Sequence, residues 1–494
     1  MMKMKRWALA GLAGAMLAGS AGTAYAAVDY SAIVESEAEW IADQQLPSGA
    51  MIMSFNAVGL WEGKYVYKVE PYFANMAAVG MLEHPTPDHL DAAKRWMQWY
   101  FDHLNAPDNL GVDATMYVYY IDRATGEEYS TANYDSSDSS AATFLMLARK
   151  YAEAGGDRTF LVQNRTLLER IAGAALATQQ PDGLTWAKMN YKIKYLMDNT
   201  EVHEGLGAAA WLEEYVFGDA VKAAYYAGKQ AEVGAGLETL WMSAQDKYKH
   251  YYYTNPSTTT SWSKFYPDST GQMWPILNGV IDPAANRARS LYDAFNLYWP
   301  EWQTLNNTTQ FPWANLAYVA AKMGDRERVD AYIESVKAKY LDKGHPWTWY
   351  NNQSAYTAMA ARIIRDQTNL ARQATVTASV YAGTDALTDG KLFGGWTGDA
   401  KNSEWIVLDL GESRSFDRVL LKWGDTYSTK YKIQVSDDGV TFDNIVHDKD
   451  GDGGTDDIAV PMQHKRYVKL MFTHRSGPGG VELKEVELYR DASE

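Results

Sequence analysis

The sequence predicts a multidomain chain in which an all-α (α/α)6 toroid is followed by an all-β antiparallel sandwich. Three observations carry this. Apolar residues recur at helical spacing from about residue 30 to 368 and alternate like strands from about 374 onward. The helices of the first region alternate between amphipathic and uniformly apolar. The apolar helices open on runs of polar, chemically capable residues.

The chain begins with Lys3, Lys5 and Arg6, an apolar run from Trp7 to Gly19, and the small-residue site Ala24-Tyr25-Ala26. This is the layout of a secretory signal cleaved after Ala26, and its apolar run is too short to span a bilayer. The expected product is a soluble, exported monomer with domains at 27–368 and 369–494. It contains no cysteine, so its stability must come from buried cores. The formal charge of −16 falls to −19 without the three signal cations. Such a surface, with no basic run, disfavours nucleic acid. Eighteen Trp and 34 Tyr against 13 Phe favour aromatics with a polar edge, which stack on sugar faces while hydrogen-bonding at their rims.

Twelve helices are expected near 30–45, 70–83, 87–106, 135–155, 157–178, 199–217, 219–246, 267–280, 285–298, 309–323, 325–340 and 351–366. The even-numbered, apolar ones form the inner ring of six hairpins. Their starts read Glu70-Pro71-Tyr72, Asp135-Ser136-Ser137-Asp138, Asp198-Asn199-Thr200-Glu201, Pro267-Asp268-Ser269, Asn306-Asn307-Thr308 and Asn351-Asn352-Gln353. Capping accounts for one polar residue per helix. A shared rim, where all six inner N-termini gather, accounts for the number.

Carboxylates around a cleft suit cleavage of a glycosidic bond. One protonated carboxyl serves the leaving oxygen and one ionised carboxylate activates water or attacks the sugar. The candidates are Glu70, Asp135, Asp138, Asp198, Glu201 and Asp268. Glu70 enters an apolar helix among aromatics, where desolvation favours the protonated form of a donor. Asp135 and Asp138, and the ladder Asp198, Glu201 and Glu204, have the spacing of one helix face. Trp186, Tyr191 and Tyr195, then Trp262, Tyr266 and Trp274, then Trp347, Trp349 and Tyr350 precede or open inner helices as candidate sugar-binding aromatics. No H-x-x-x-H, C-x-x-C, G-x-S-x-G or phosphate-binding fingerprint points to another chemistry.

With these residues in place, the helical region resembles the six-hairpin glycosidase superfamily, nearest in layout to family 8 glycoside hydrolases. That resemblance implies a Glu proton donor opening an early inner helix and an Asp opening a later one, positions held here by Glu70 and Asp138. The family's S-E-G and T-D-G-D settings are not intact around them.

Beyond Ala374, the runs Trp405-Ile406-Val407-Leu408-Asp409-Leu410-Gly411 and Tyr431-Lys432-Ile433-Gln434-Val435-Ser436 alternate as strands, with turn pairs such as Asp438-Gly439 between them. Together with Leu387-Thr388-Asp389-Gly390, Trp396 and Glu485-Val486-Glu487-Leu488-Tyr489 they resemble the discoidin, or coagulation factor 5/8 type C, family and family 32 carbohydrate-binding modules. The resemblance implies a jelly roll with a structural Ca²⁺ near Asp389 and Glu485. It also implies sugar contacts on end loops, where Trp423, Tyr427, His474 and Arg475 are candidates. The acidic run Asp448–Gly454 lacks the closing Glu of an EF-hand and reads as a hairpin turn.

The expected function is a secreted glycoside hydrolase acting on a polysaccharide or oligosaccharide, with a glycan-binding module. A polysaccharide lyase, using a Tyr/His/Asn set, and a non-catalytic glycan binder are the competing readings.

Overall fold

The computed structural model describes residues 28–252, 259–307, 309–380 and 382–490, so the signal-peptide reading lies outside the described residues. Helices dominate to Thr368 and antiparallel strands follow. Among the described residues no helix is long and apolar enough to cross a membrane.

Six helices form the inner set: α2 (Pro71–Met81), α4 (Ser137–Glu153), α7 (Leu196–Trp211), α9 (Trp274–Leu277), α11 (Ala314–Lys322) and α13 (Asn351–Thr368). Each packs on the next in that order, and α13 packs back on α2. Small residues permit the tightest approaches. A Cβ on Gly80 of α2 would lie 2.3 Å from the Ala355 Cα of α13, and one on Gly205 of α7 would lie 2.6 Å from the Ala142 Cα of α4. Buried Asn75 ties α2 to its neighbours. Its Nδ2 donates to Thr143 Oγ1 at 3.1 Å and its Oδ1 accepts from Trp96 Nε1 at 3.1 Å, so each polar core atom has a partner.

The outer layer comprises α1 (Tyr30–Asp43), α3 (Pro87–Asp102), α5 (Arg158–Gln163), α6 (Arg165–Leu176), α8 (Ala220–Glu238), α10 (Asn286–Tyr298) and α12 (Arg326–Lys339). Helices α1, α3, α5, α8 and α12 are capped by the side chains of Asp29, Thr86, Asp157, Asp219 and Asp325. None of the six inner helices has a side-chain cap. Of the polar residues at the inner starts, Asp138 bonds its own helix start at the Ser139 N–H, whereas Glu70 meets Lys68 and Asp198 meets Ser136.

Two expectations shift. The helix expected at 267–280 is broken into a π-helical turn (Phe265–Ser269), a 3₁₀ turn (Thr270–Met273) and the short α9, because Pro267 and Pro275 interrupt its N–H ladder. The helix expected from 309 begins at Ala314, after Pro312. A four-stranded antiparallel sheet was not expected in the helical region. Its strands are β1 (Gly59–Trp61), β2 (Lys64–Val69), β3 (Tyr119–Asp122) and β4 (Glu128–Ser130), paired in that order.

The C-terminal region forms its own core around Trp396, Phe416, Tyr431, Leu470 and Phe472. Its strands are β5 (Thr375–Ala378), β6 (Trp396–Thr397), β7 (Glu404–Trp423), β8 (Ser428–Ser436), β9 (Asp443–Asp450), β10 (Thr455–Arg475) and β11 (Glu482–Tyr489). The spatial order is β6-β11-β7-β10-β8-β9, with β5 added to β7. The 20-residue β7 and 21-residue β10 pair throughout, with register shifts between Asp409 and Arg414 and between Phe416 and Arg418, where the strands bend. The acidic run is not a hairpin turn: β9 pairs with β8 and not with β10, so the run ends the edge strand β9 and carries the chain across β8 to β10.

The two regions touch. Arg362 of α13 donates to the Gly390 carbonyl at 3.3 Å, and the Leu392 N–H donates to the Glu153 carbonyl of α4 at 3.0 Å.

Candidate functional site

A cleft of about 1070 Å³ lies where the inner helices begin. Glu70, Asp135, Asp198 and Glu201 line it. The strand β2 delivers Glu70 to the first turn of α2, and α7 carries Asp198 and Glu201 three residues apart on one face.

Glu201 is the most enclosed, 4% exposed. Its Oε1 accepts from the Tyr72 hydroxyl at 2.7 Å and from Trp274 Nε1 at 3.0 Å. Both bonds fall on Oε1, which leaves Oε2 as the oxygen able to carry a proton. Burial, aided by the charges of Asp138 and Glu204 and opposed by those two donors, pushes the carboxyl up to about 8. Asp198 accepts from Ser136 Oγ at 3.1 Å. Burial and three neighbouring carboxylates (Asp138, Glu201 and Asp135) hold it well above the usual carboxylate range.

Glu70 behaves differently. Its carboxyl is also raised above the usual carboxylate range, by burial and by the charge of Asp135, and the Lys68 ammonium at 2.7 Å offsets part of that rise. Asp135 is exposed at the cleft mouth. The cleft thus sets a raised carboxyl bonded by neutral donors, Glu201, beside one whose rise an ammonium opposes, Glu70, and proton donation and water activation call for two carboxyls that differ in this sense.

The remaining acids stand apart. Asp138 is wholly buried behind the cleft wall, accepting from Ser136 Oγ and Thr185 Oγ1 at 2.5 Å each and from the Ser139 N–H at 2.9 Å. Burial lifts it to about 6. It does not share a helix face with Asp135, because α4 starts at Ser137 and leaves Asp135 in the preceding extended segment. Asp268, also buried, does not line the cleft. Its Oδ1 accepts from the Ser261 N–H at 2.9 Å, and its Oδ2 lies 3.6 Å from His250 Nε2, so it anchors the loop before α9.

Of the aromatics named from sequence, Trp274, Tyr266 and Tyr350 line the cleft. Trp349 is fully buried and donates to Ser354 Oγ at 2.7 Å. Trp262 packs against the helical core, and its carbonyl accepts from Ser269 Oγ. Trp186 sits under the Lys192 ammonium at 4.7 Å, outside the cleft lining. Tyr191 and Trp347 are exposed beyond the rim, the first with its hydroxyl 3.1 Å from that of Tyr195, the second with its ring 6.1 Å from Tyr350. Their position before inner helices holds, but they face outward or into the core.

Residues not anticipated complete the lining. Trp61 and Tyr120, 4.8 Å apart on the four-stranded sheet, form one aromatic group. Tyr266, Trp313 and Phe311 form another, with Trp313 5.2 Å from Tyr266 and 6.0 Å from Phe311. The sequence holds one signal for the first group. Glu62 and Gly63, both at positive φ, form a two-residue turn between Trp61 and the alternating run Lys64–Val69, the pattern of a β-hairpin.

In the β-domain, Trp423 is a core residue, 6% exposed, with its Nε1 on Asp456 Oδ2 at 2.9 Å. It cannot meet a sugar there. Tyr427 is half-buried against the same core. Glu485 is fully buried; its Oε1 accepts from the Gly390 N–H at 3.0 Å, while its Oε2 is buried without a partner. Burial and the charges of Glu487 and Asp389 push it up to about 9. An orphaned buried oxygen beside a second carboxylate fits a hard divalent cation. No third acid or histidine joins them among the described residues, so main-chain carbonyls and water would supply the other oxygens of the shell.

Comparisons with known proteins concern mainly this end of the chain. Chitosan-binding module 1 from the chitosanase/glucanase of Paenibacillus sp. IK-5 is 36% identical over 24% of this chain and 98% of its own, with a TM-score of 0.24. Chitosan-binding module 2 of the same enzyme, solved with chitotriose, is 32% identical over 24% of this chain and 99% of its own, with a TM-score of 0.23. A polysaccharide lyase 8 family protein, HylA of Enterococcus faecalis, is 32% identical over 74 residues, and the chain spans only 5% of that relative's length. Residues 371–486 match the F5/8 type C domain family, and the C-terminal β-domain is therefore an F5/8 type C domain.

Proposed function

We propose that this chain is an exported glycoside hydrolase whose helical region is an (α/α)6 toroid and whose F5/8 type C domain holds the glycan. The closed packing order of the six inner helices supports the toroid. The observation that carries the chemistry is the contrast between Glu201, kept protonated on a buried aromatic floor, and Glu70, paired with Lys68.

In this reading Glu201 gives its proton to the leaving glycosidic oxygen, and Glu70 accepts one from the attacking water. This reassigns the donor role from Glu70, because the ammonium beside Glu70 favours its charged form. Asp198 and Asp135 bind sugar hydroxyls. Trp61, Tyr120, Trp313 and Tyr266 stack on sugar faces. Asp389 and Glu485 hold a Ca²⁺ that braces the loop around Gly390.

A panel of neutral and acidic glycans tests the proposal. Wild-type protein should release new reducing ends with no rise in ultraviolet absorbance, and Glu201→Gln should release none while still binding. Full activity in that variant would sink the assignment of the donor. Absorbance from unsaturated ends would instead establish a lyase, the chemistry named for HylA. Against that outcome stands the cleft's charge: four acids line it with two lysines. Lys68 is paired to Glu70, and Lys188 donates to the Tyr134 carbonyl at 2.8 Å.

A further inference from the structure

A second cavity, of about 220 Å³, lies deeper among the inner helices. It has room for several water molecules at roughly 30 Å³ each. Tyr356 of α13 borders both this chamber and the cleft. On the cleft side it shares the lining with Tyr72, which donates to Glu201 Oε1 at 2.7 Å.

On the chamber side stand Glu204 and Tyr318. Glu204 is one helical step below Glu201 on α7, so the same face that puts Glu201 in the cleft puts Glu204 in the chamber. Lys322 of α11 acts on Glu204 and donates to the Leu277 carbonyl at the chamber wall. The far end is bordered by half-buried ion pairs, Glu83 with Lys150 at 2.8 Å and Arg149 with Glu153 at 3.1 Å. There the F5/8 type C domain touches the exit, as the Leu392 N–H donates to the Glu153 carbonyl at 3.0 Å.

We propose that Tyr72, Tyr356, Glu204 and the chamber behind them form a second proton route to Glu201, usable while glycan fills the cleft. The inference rests on Glu201 being the proton donor. In each turnover Glu201 loses one proton to the leaving oxygen, and the attacking water gives one to the ionised carboxylate. Tyr72 passes its hydroxyl proton to Glu201 and takes one from Tyr356, which takes one from chamber water exchanging with Glu204. A half-turn of the Glu201 carboxyl presents the new proton to the cleft. The base returns its proton to cleft water, so protons balance and no tyrosinate accumulates. Burial lifts Glu204 and lowers Lys322, so both exchange protons more readily near neutral pH than they would in water.

The test uses the full chain. With the cleft saturated by a glycan that the protein binds, a laser-triggered pH drop from about 9 to about 6, followed by infrared absorption of the protonated carboxyl, measures how fast Glu201 gains its proton, with Glu201→Gln identifying the band. Tyr356→Phe and, separately, Glu204→Gln should slow that rate by at least about tenfold, at the low end for proton relays. The two variants should leave the native circular dichroism spectrum intact. Unchanged rates in both folded variants would overturn the route. On a glycan that the wild type cleaves, Tyr356→Phe should lower kcat with KM unchanged, and added imidazole should restore it. A merely structural tyrosine would not respond to imidazole, and that result would also overturn the route. Should a glycan be bound but not cleaved, the infrared rates measured with it in the cleft still decide the route, and only the hydrolase reading fails.

Discussion

Two buried carboxylates, one in each region of the molecule, are held in opposite ways. Glu201 in the helical region and Glu487 in the β-domain are both almost fully buried. Glu487 has Lys422 Nζ at 2.6 Å, Arg362 at 3.8 Å and the Tyr489 hydroxyl at 2.9 Å, and these cations hold it far below the usual carboxylate range. Glu201 has no cation beside it, only neutral donors and other acids, and rises to about 8. A compensated buried charge is a structural element, and removing its partner costs stability. An uncompensated one costs stability where it stands, and under the proposed function Glu201 is retained for its proton.

That contrast can be broken from either side. The largest effect is expected for Glu201→Gln, which should lower glycan cleavage by about 10³-fold, read as reducing-end release. The same carboxyl predicts a pH dependence. Cleavage should fall as pH rises through about 8, where the donor loses its proton. Because the folded-state value is raised, Glu201 favours folding below its ordinary range near 4.5 and that contribution is lost as pH rises towards about 8. Thermal denaturation between pH 5 and 9 should show the wild type losing Tm faster than Glu201→Gln.

Lys422→Met should do the reverse. It strands Glu487 and should cost roughly 3–5 kcal/mol in urea unfolding at pH 7, with kcat preserved. Equal loss of activity and stability in both variants would erase the distinction. Ca²⁺ at about a hundred times its Kd should stabilise the β-domain by about 2.7 kcal/mol, and Asp389→Asn should abolish that gain in a calorimetric scan. The smallest effect belongs to the aromatic walls: Trp61→Ala or Trp313→Ala should raise KM several-fold, from a lost stacking contact of about 1 kcal/mol, with kcat little changed.

The helical elements were legible because their apolar faces repeat at 3.6 residues, and the segments at 30–45, 87–106 and 351–366 find their helices almost as spaced. The carboxylates were legible as a group because the inner helices open on more polar residues than capping uses. What was illegible was direction. Trp349 and Trp423 carry the same side chain as Trp61, yet two are cores and one lines the cleft. Asp138 and Asp135 differ by three positions, and a helix start two residues later than expected sends one inward and one to solvent.

The sequence by itself determined most of the helices, the change of period near residue 370 and a surplus of acids at inner-helix starts, which follow from local spacing, and the F5/8 type C pattern, which follows from resemblance to the family. Only the tertiary structure decided which acids meet. Glu70, Asp198 and Glu201 come together because α2 and α7 flank α4, and Tyr72 and Trp274 reach Glu201 from two other helices. A pKa depends on those through-space neighbours and on the water they exclude, so the separation of Glu201 from Glu70 exists only in the folded chain.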